Sequence, residues 1–101
     1  MYSRIVEVNL KTGKNDAFNE AMNKVLGILK AQPGLTDCLV MISDTNPDKA
    51  LAISVWNSKE EADSYEKAHF GEVRAAIQDV IEGAPTVRTF NVQSSVAATT
   101  A

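Results

Sequence analysis

With 101 residues, of which 45% are hydrophobic, the chain has the length of one domain and can bury a core without a disulfide or a metal. Its 10 basic and 13 acidic residues give a net charge of −3, so it lacks the excess of cations that nucleic-acid binding requires. A single cysteine excludes an internal disulfide framework and suits a reducing compartment, and we expect a cytoplasmic protein.

The first ten residues, MYSRIVEVNL, alternate apolar with polar side chains and include Arg4 and Glu7. They lack the continuous apolar segment of a signal peptide or a membrane anchor, so we expect no membrane association. Residues 2–10 instead predict a first strand with Val6 and Val8 on one face.

A helix is predicted over residues 15–31 by an apolar stripe at helical spacing. The stripe consists of Phe18, Met22, Val25 and Leu29. Asn15 and Asp16 are suited to accept hydrogen bonds from the free amides at the helix start. Pro33 and Gly34 end the segment, because proline lacks the amide that a continuing helix needs.

Two further strands are predicted over residues 35–43 and 50–57, with a polar loop between them that is long enough for a hairpin. Ser58 and Glu61 then form a capping box, in which the serine oxygen accepts from the Glu61 amide and the glutamate side chain reaches back. A second helix therefore begins directly after the third strand.

This second helix has an apolar side with spacings of three and four residues. Its members are Ala62, Tyr65, His69, Val73, Ala76, Ile77 and Val80. Gly71 predicts a break or kink, because glycine costs a helix interior about 1 kcal/mol relative to alanine. Gly83, Ala84 and Pro85 are expected to close the segment, and residues 86–92 predict a last strand.

The order β-α-β-β-α-β predicts an α+β fold of the ferredoxin-like type, with a four-stranded antiparallel sheet and both helices on one face. We expect a single domain over residues 1–93 and a flexible tail over residues 94–101.

Alternation places apolar residues on both faces of this sheet. One face is assigned Ile5, Leu39, Met41, Trp56 and Val87, and the other is assigned Val6, Val40, Ile53 and Phe90. Two helices cover only one face, and apolar area left in water costs about 25 cal/mol per Å². We therefore predict a twofold homodimer formed by sheet-to-sheet packing.

The order of the elements and two sequence motifs together resemble the antibiotic-biosynthesis monooxygenase (ABM) family of the dimeric α+β barrel superfamily. The motifs are the Pro33-Gly34-Leu35 turn, and the run SVWNSKEEA at residues 54–62 followed by His69-Phe70. The resemblance covers residues 1–92. It implies a dimeric α+β barrel whose subunits each have a pocket between the sheet and the helices.

The resemblance also implies an activity. Some members oxidise polycyclic phenols or quinols with molecular oxygen and use neither metal nor flavin, whereas others degrade haem. Many members carry a histidine where this chain has Tyr65, and His69 matches a second one. The haem-degrading members have a tryptophan in the second helix and an asparagine in the first strand. Here the helix has no tryptophan and Val6 or Val8 takes the asparagine's place, so neither haem nor another cofactor is expected.

His69 and Tyr65 are the candidate catalytic residues, one turn apart on the inward side of the second helix. The imidazole is suited to take a proton from a phenolic substrate, and the phenol is suited to donate to the same substrate. Trp56, Phe70 and Cys38 are candidates for substrate binding. Four of these residues also have a structural interpretation. Trp56 would be a core indole bonded to a carbonyl, and His69 would fill a polar gap. Tyr65 would be a core phenol, and Cys38 would be a buried thiol that acts as a small hydrophobe.

Three functions remain open at this point. The protein is a cofactor-independent monooxygenase, or a related oxidoreductase, for an aromatic or quinone-like molecule; or it is a dimer that binds a small ligand without catalysis; or it is a structural protein whose pocket is filled. One histidine and one cysteine give no metal-site spacing, so no metal is expected.

Overall fold

The computed structural model describes residues 1–96, and most of the predicted tail lies outside the described residues. Its elements are β1 Tyr2–Leu10, α1 Asn15–Lys30, β2 Leu35–Ile42, β3 Lys49–Trp56, α2 Lys59–Ile77 and β4 Ile81–Asn91. The strands form one antiparallel sheet in the order β2-β3-β1-β4, and both helices cover the same face. The predicted ferredoxin-like α+β fold is confirmed.

The apolar stripe of α1 packs against the sheet as the spacing predicts. Phe18, Met22, Val25 and Leu29 are all buried. The start of this helix differs from the prediction, because the N-cap is Lys14 and no side chain caps it. The Asn15 side chain instead donates to the backbone carbonyl of Pro47. It therefore fastens the helix start to the loop between β2 and β3 rather than satisfying the helix amides.

Four residues lie on the opposite face of the sheet from the face that the sequence assigned to them. They are Ile53, Trp56, Val87 and Phe90. Paired residues of neighbouring antiparallel strands point to the same face, and Ile53 pairs with both Ile5 and Leu39. Ile53 therefore lies on the open face, whereas Trp56 lies under the helices and is fully buried. Phe90 likewise lies on the open face, because it pairs with Ser3, and Val87 lies on the helix-facing side, because it pairs with Val6. Alternation separates the two faces of each strand but does not say which face the helices cover.

The fourth strand begins earlier than predicted, at Ile81 rather than at residue 86. Gly83 has φ of +70° and lies opposite the register shift between Glu7 and Asn9 of β1. Gly83 to Pro85 thus form an irregularity within the strand, of the kind that a glycine at positive φ permits, and do not end the preceding segment. Helix α2 runs without interruption through Gly71, so the predicted break is also wrong.

The turn from α1 into β2 is linked to the start of α2. Gly34 has φ of +82°, and its carbonyl accepts from the amide of Asn57 over 2.8 Å. A Cβ at this position would meet the carboxylate of Glu61. The same carboxylate accepts from the Ser58 hydroxyl over 3.0 Å, and the Ser58 oxygen accepts from the Glu61 amide over 3.2 Å. The capping box is therefore present, with the glutamate bonded to the serine hydroxyl.

No helix within residues 1–96 combines the length and the apolar character that crossing a membrane requires.

Candidate functional site

A cavity lies between the sheet and the two helices. Apolar side chains of α1, α2 and the strands form most of its wall, and the polar members are Arg4, Cys38, Ser54 and Tyr65. The space open to the centre of a water molecule is about 40 Å³. That volume has room for roughly three waters, or for one carboxylate group.

Among the residues that the structure describes, Arg4 is the one charged residue that lines this cavity. It is in phase with Tyr2, Val6 and Val8 on the helix-facing side of β1, and only 2% of it is exposed. The Cζ atom lies 4.6 Å from the centre of the Phe70 ring and 5.9 Å from that of Tyr65, both within the range of cation-π attraction. The guanidinium is thus held between two rings of α2.

Two of the guanidinium nitrogens of Arg4 lack hydrogen-bond partners among the described residues. Nη2 lies 3.9 Å from Glu66 Oε1, which is too far for a hydrogen bond. Within residues 1–96, neither Nε nor Nη2 has a hydrogen-bond partner, although both atoms are buried. Buried donors of a charged group without partners are costly, so this arrangement calls for an explanation.

Tyr65 lies beside Arg4 and is also buried. Burial raises the pKa of its phenol to about 12, although the nearby Arg4 charge acts in the opposite direction. The phenol therefore remains protonated at neutral pH. It is suited to donate a hydrogen bond to a ligand in the cavity, and it is not suited to act as a base there.

Trp56 supports Tyr65 and does not itself line the cavity. The two ring centres are 5.2 Å apart, and the indole Nε1 donates to Ser54 Oγ over 2.9 Å. Ser54 in turn donates to the Arg4 carbonyl over 3.4 Å. The indole thus has its partner in a serine rather than a carbonyl, and it fixes the positions of two residues that do line the cavity.

His69 stacks on the other side of Tyr65, with ring centres 6.2 Å apart, but does not line the cavity. Its side chain is 31% exposed, and Nδ1 lies 3.6 Å from Glu72 Oε1. Within residues 1–96 this nitrogen is buried and has no hydrogen-bond partner. Trp56, Tyr65 and His69 therefore form a row of rings that leads from the core to the outer edge of α2.

The two remaining candidates, Phe70 and Cys38, both line the cavity. Phe70 also lines a depression on the outer surface of α2, so its ring separates the cavity from that surface. Cys38 is a free thiol. Burial, and next the charge of Asp37, raise its pKa to about 11. The thiol is therefore protonated at neutral pH and acts as a small apolar group.

Sequence reasoning missed Arg4. A charged residue in an alternating strand is usually solvated, and this one was counted only as an argument against a membrane anchor. A signal was nevertheless present, because Arg4 lies two positions before Val6 and four positions before Val8. In a strand these positions share a face, so Arg4 lies on the same buried face as the two valines. Within residues 1–96, no cluster of three or more His, Cys, Asp or Glu side chains is arranged to hold a metal ion.

Comparison with known proteins identifies the family. Residues 1–79 match the model of the antibiotic biosynthesis monooxygenase family. The chain belongs to this family. No functionally curated protein matches the sequence significantly.

Solved structures show that other proteins share the ABM fold of this chain. A Nitrosomonas europaea protein described with the same family name has a TM-score of 0.82 and 21% identity, with 93% of this chain and all of the other (100%) covered. SnoaB, a cofactor-independent oxygenase from Streptomyces nogalater, has a TM-score of 0.78 and 11% identity, covering 94% of this chain and 95% of SnoaB. A conserved protein from Methanosarcina mazei has a TM-score of 0.79 and 14% identity, covering 88% of this chain and 89% of the other. At these identities the likeness extends to the fold alone.

Proposed function

We propose that this ABM-family protein is a cofactor-independent monooxygenase that acts on a phenolic or quinone-like small molecule bound between the sheet and the helices. The observation that carries the proposal is the cavity, whose apolar walls include the protonated phenol of Tyr65 and the guanidinium of Arg4. Within residues 1–96, Nε and Nη2 of that guanidinium have no hydrogen-bond partner. Apolar walls suit an aromatic body, and a few convergent polar groups suit its oxygen atoms. The family match and the fold shared with SnoaB support the same class of reaction.

The reaction needs no group beyond the substrate and molecular oxygen. Loss of the phenolic proton makes the substrate ring electron-rich, and the anion then reduces oxygen by electron transfer. One oxygen atom enters the ring carbon, and the other leaves as water with the two hydrogens that the phenol loses on becoming a quinone. The protein's contribution is to bind the anion, to exclude water and to donate a hydrogen bond from Tyr65 to the developing oxygen charge.

His69 enters this proposal as the acceptor of the phenolic proton. Its imidazole stacks on Tyr65 at the outer end of the row of rings, where a substrate that extends past Tyr65 would meet it. Trp56, Phe70 and Cys38 serve the substrate as walls and supports of the cavity. The His69 side chain is partly exposed, so the proton has a route from the imidazole to solvent.

One observation favours a second function, that of a ligand-binding or structural dimer without catalysis. The cavity of about 40 Å³ is far smaller than pockets for drug-sized ligands, which measure roughly 300–1,000 Å³. A polycyclic substrate therefore requires Phe70 or α2 to move outward. If the helix does not move, only a small group enters, and the chain has no room for the proposed reaction.

The proposed assembly is a homodimer in which the open faces of two sheets pack together. Leu39 and Phe90 are each 52% exposed on this face, and Met41 is 41% exposed. They lie around the central pair of Ile5 and Ile53. A second copy of the same face would remove this apolar area from water. We also infer a cytoplasmic location, because the thiol of Cys38 is free and suits a reducing compartment.

Oxygen uptake tests the function. The purified protein is incubated with a panel of hydroquinones and anthrones, without added metal or flavin, and oxygen is followed with an electrode. The proposal predicts uptake with at least one substrate and a loss of most of the rate in His69→Ala. Unchanged uptake in His69→Ala would overturn the role of the histidine, and no uptake with any substrate would favour the second function.

A further inference from the structure

Arg4 has two buried nitrogens whose hydrogen-bonding capacity the fold does not use. The residue is 2% exposed, and within residues 1–96 its buried Nε and Nη2 have no hydrogen-bond partner. Both atoms belong to a side chain that lines the cavity. A guanidinium offers its donors in a planar fork that matches a carboxylate or another oxyanion.

A role in stability does not account for this residue. Its nearest carboxylate, Glu66, is 3.9 Å away and has a side chain that is 49% exposed, so it is largely solvated. The two aromatic rings attract the cation, but they do not accept its N–H groups in the plane of the fork. An apolar side chain of similar length would fill the same space without burying a charge, and such replacements are often neutral or stabilising.

We propose that the cavity is a binding site for the anionic oxygen of a small organic molecule, a carboxylate or a phenolate, with Nε and Nη2 of Arg4 as its donors. Tyr65, whose phenol is protonated at neutral pH, is a further donor within the same walls. Among residues 1–96, Glu66 is the carboxylate that pairs with Arg4, and its side chain is 49% exposed on the solvent side of the guanidinium. It opposes the anion only weakly, because solvent screens it.

The volume of the cavity sets the part of the ligand that enters first. At about 40 Å³ the cavity is far below the roughly 300–1,000 Å³ of pockets for drug-sized ligands, so the anionic group of the ligand enters before its body. The body of a larger ligand reaches Arg4 by displacing Phe70, because the ring of Phe70 separates the cavity from the depression on α2. Phe70 also covers the guanidinium, so its displacement exposes the donors.

The inference rests on the proposed function only in taking the cavity as the ligand site, and it requires no turnover. It is tested with acetate and benzoate as carboxylates, 4-nitrophenolate as a phenolate, and acetamide, benzamide and nitrobenzene as their neutral counterparts. Binding is followed by nitrogen-proton NMR, in which the Nε–H resonance of Arg4 reports the site directly. The carboxylate and phenolate arms show which oxyanion is preferred.

At least one anion is expected to bind saturably and to shift the Arg4 Nε–H resonance, with its neutral counterpart binding at least about tenfold more weakly. In Arg4→Met the anion's affinity should fall by at least about tenfold, while the melting temperature stays at or above that of the wild type. Lys24→Met is the matched control, since it removes one positive charge from the exposed surface of α1 and should leave binding unchanged.

The proposal is overturned if neutral counterparts bind as tightly as the anions, if Arg4→Met binds the anions like the wild type, or if no anion binds at millimolar concentration. Should Arg4→Met fail to fold, the wild-type resonance and Arg4→Lys, which keeps the charge but loses the fork, decide the question. Anion binding without oxygen uptake would overturn the proposed monooxygenase function and would leave the proposal of an anion site intact. Oxygen uptake by a protein in which no anion binds at Arg4 would overturn the anion site and leave the monooxygenase.

Discussion

Burial raises the pKa of two residues that line the cavity, Tyr65 and Cys38. The pKa of Tyr65 rises from 10.0 to about 12, and that of Cys38 rises from 9.0 to about 11. Both groups are therefore neutral in the folded protein under physiological conditions. The charge of the cavity comes from Arg4 alone among its lining residues, which makes the wall positive and suited to an anion.

These two raised pKa values predict how stability changes in alkali. Below pH 9, where both groups are protonated in the folded and the unfolded chain, their contribution is constant. As pH rises from about 9 to about 12, the unfolded chain releases protons that the folded chain retains. The free energy of unfolding must then fall, by up to about 1.4 kcal/mol per pH unit for each proton. Urea titrations at several pH values measure the slope.

Substitution identifies which residue causes each part of that fall. Cys38→Ala should remove the part that begins near pH 9, and Tyr65→Phe should remove the part that begins near pH 10. A wild-type profile that stays flat up to pH 12, or one that neither substitution alters, would show that burial does not keep these groups protonated.

Gly34 illustrates how one residue links two elements. Its φ of +82° is strained for any other residue, and a Cβ there would meet the Glu61 carboxylate, which would have to leave the Ser58 hydroxyl. Gly34→Ala should therefore destabilise the protein by about 2–3 kcal/mol, the sum of backbone strain and a damaged cap. Chemical denaturation measures the loss.

Gly13→Ala is the matched control, because Gly13 has φ of +78° but no atom within 4 Å of a Cβ. It should lose only the backbone part, about 1–2 kcal/mol. In a Glu61→Ala background the difference between the two glycines should vanish. Equal losses in the wild-type background would show that Glu61 does not constrain the turn.

At the scale of the elements, two local signals in the sequence, the apolar stripe of α1 and the capping box of α2, predicted the structure correctly. The stripe from Phe18 to Leu29 predicted the buried side of α1, because four residues at helical spacing leave one orientation. The serine before α2 predicted its cap, because a capping box involves only neighbours in the chain. Both features depend on contacts within one element.

Features that depend on contacts between elements were not predictable in the same way. The helix-facing side of β3 depends on its register with β1 and β2, so Trp56 and Ile53 were placed on the wrong faces. The cavity was expected, but its small volume follows from the packing of side chains between the sheet and the two helices. Arg4 was missed because its partners, Phe70 and Tyr65, lie more than sixty residues away in the sequence.

Helix α2 contains a glycine, Gly71, that neither its backbone conformation nor its surroundings require. Gly71 lies within the continuous helix, and no atom lies within 4 Å of a Cβ there. Gly71→Ala should therefore stabilise the protein by about 0.5–1 kcal/mol, since alanine has the higher helix propensity. Thermal and urea unfolding provide the measurement. Gly27→Ala in α1 has equally open surroundings and should give a similar gain, whereas a loss at Gly71 would show that the helix must bend there.

At the scale of the whole molecule, the structure is a sheet covered by helices on one side only. The open face carries Leu39, Met41 and Phe90 at substantial exposure, arranged around Ile5 and Ile53. The position of Trp56 under the helices does not weaken the argument for a dimer, because Ile53 takes its place on the open face. The open face therefore keeps the number of apolar residues that the sequence assigned to it, with Ile53 and Phe90 in place of Trp56 and Val87.

Light scattering with two arginine substitutions tests this interface. Ile53→Arg places a charge at the centre of the open face without touching the core, and it should reduce the mass at micromolar concentration from twice the chain mass to 10.9 kDa. Val87→Arg introduces the same charge on the other face of the sheet, at a residue that is 39% exposed, and should leave the dimer intact. A wild type that is monomeric, or an Ile53→Arg variant that remains dimeric, would contradict the proposed packing.

Isotopic labelling shows whether the cavity supports the proposed reaction of a phenolic substrate with molecular oxygen alone. The protein is supplied with an anthrone and labelled oxygen gas, without metal or flavin, and the product is analysed by mass spectrometry. The proposed reaction gives one labelled atom in each product molecule, and its rate should be greatly reduced in Tyr65→Phe. The rate should be retained in Tyr2→Phe, which alters a buried tyrosine that does not line the cavity. Product without label, or equal rates in the two variants, would contradict it.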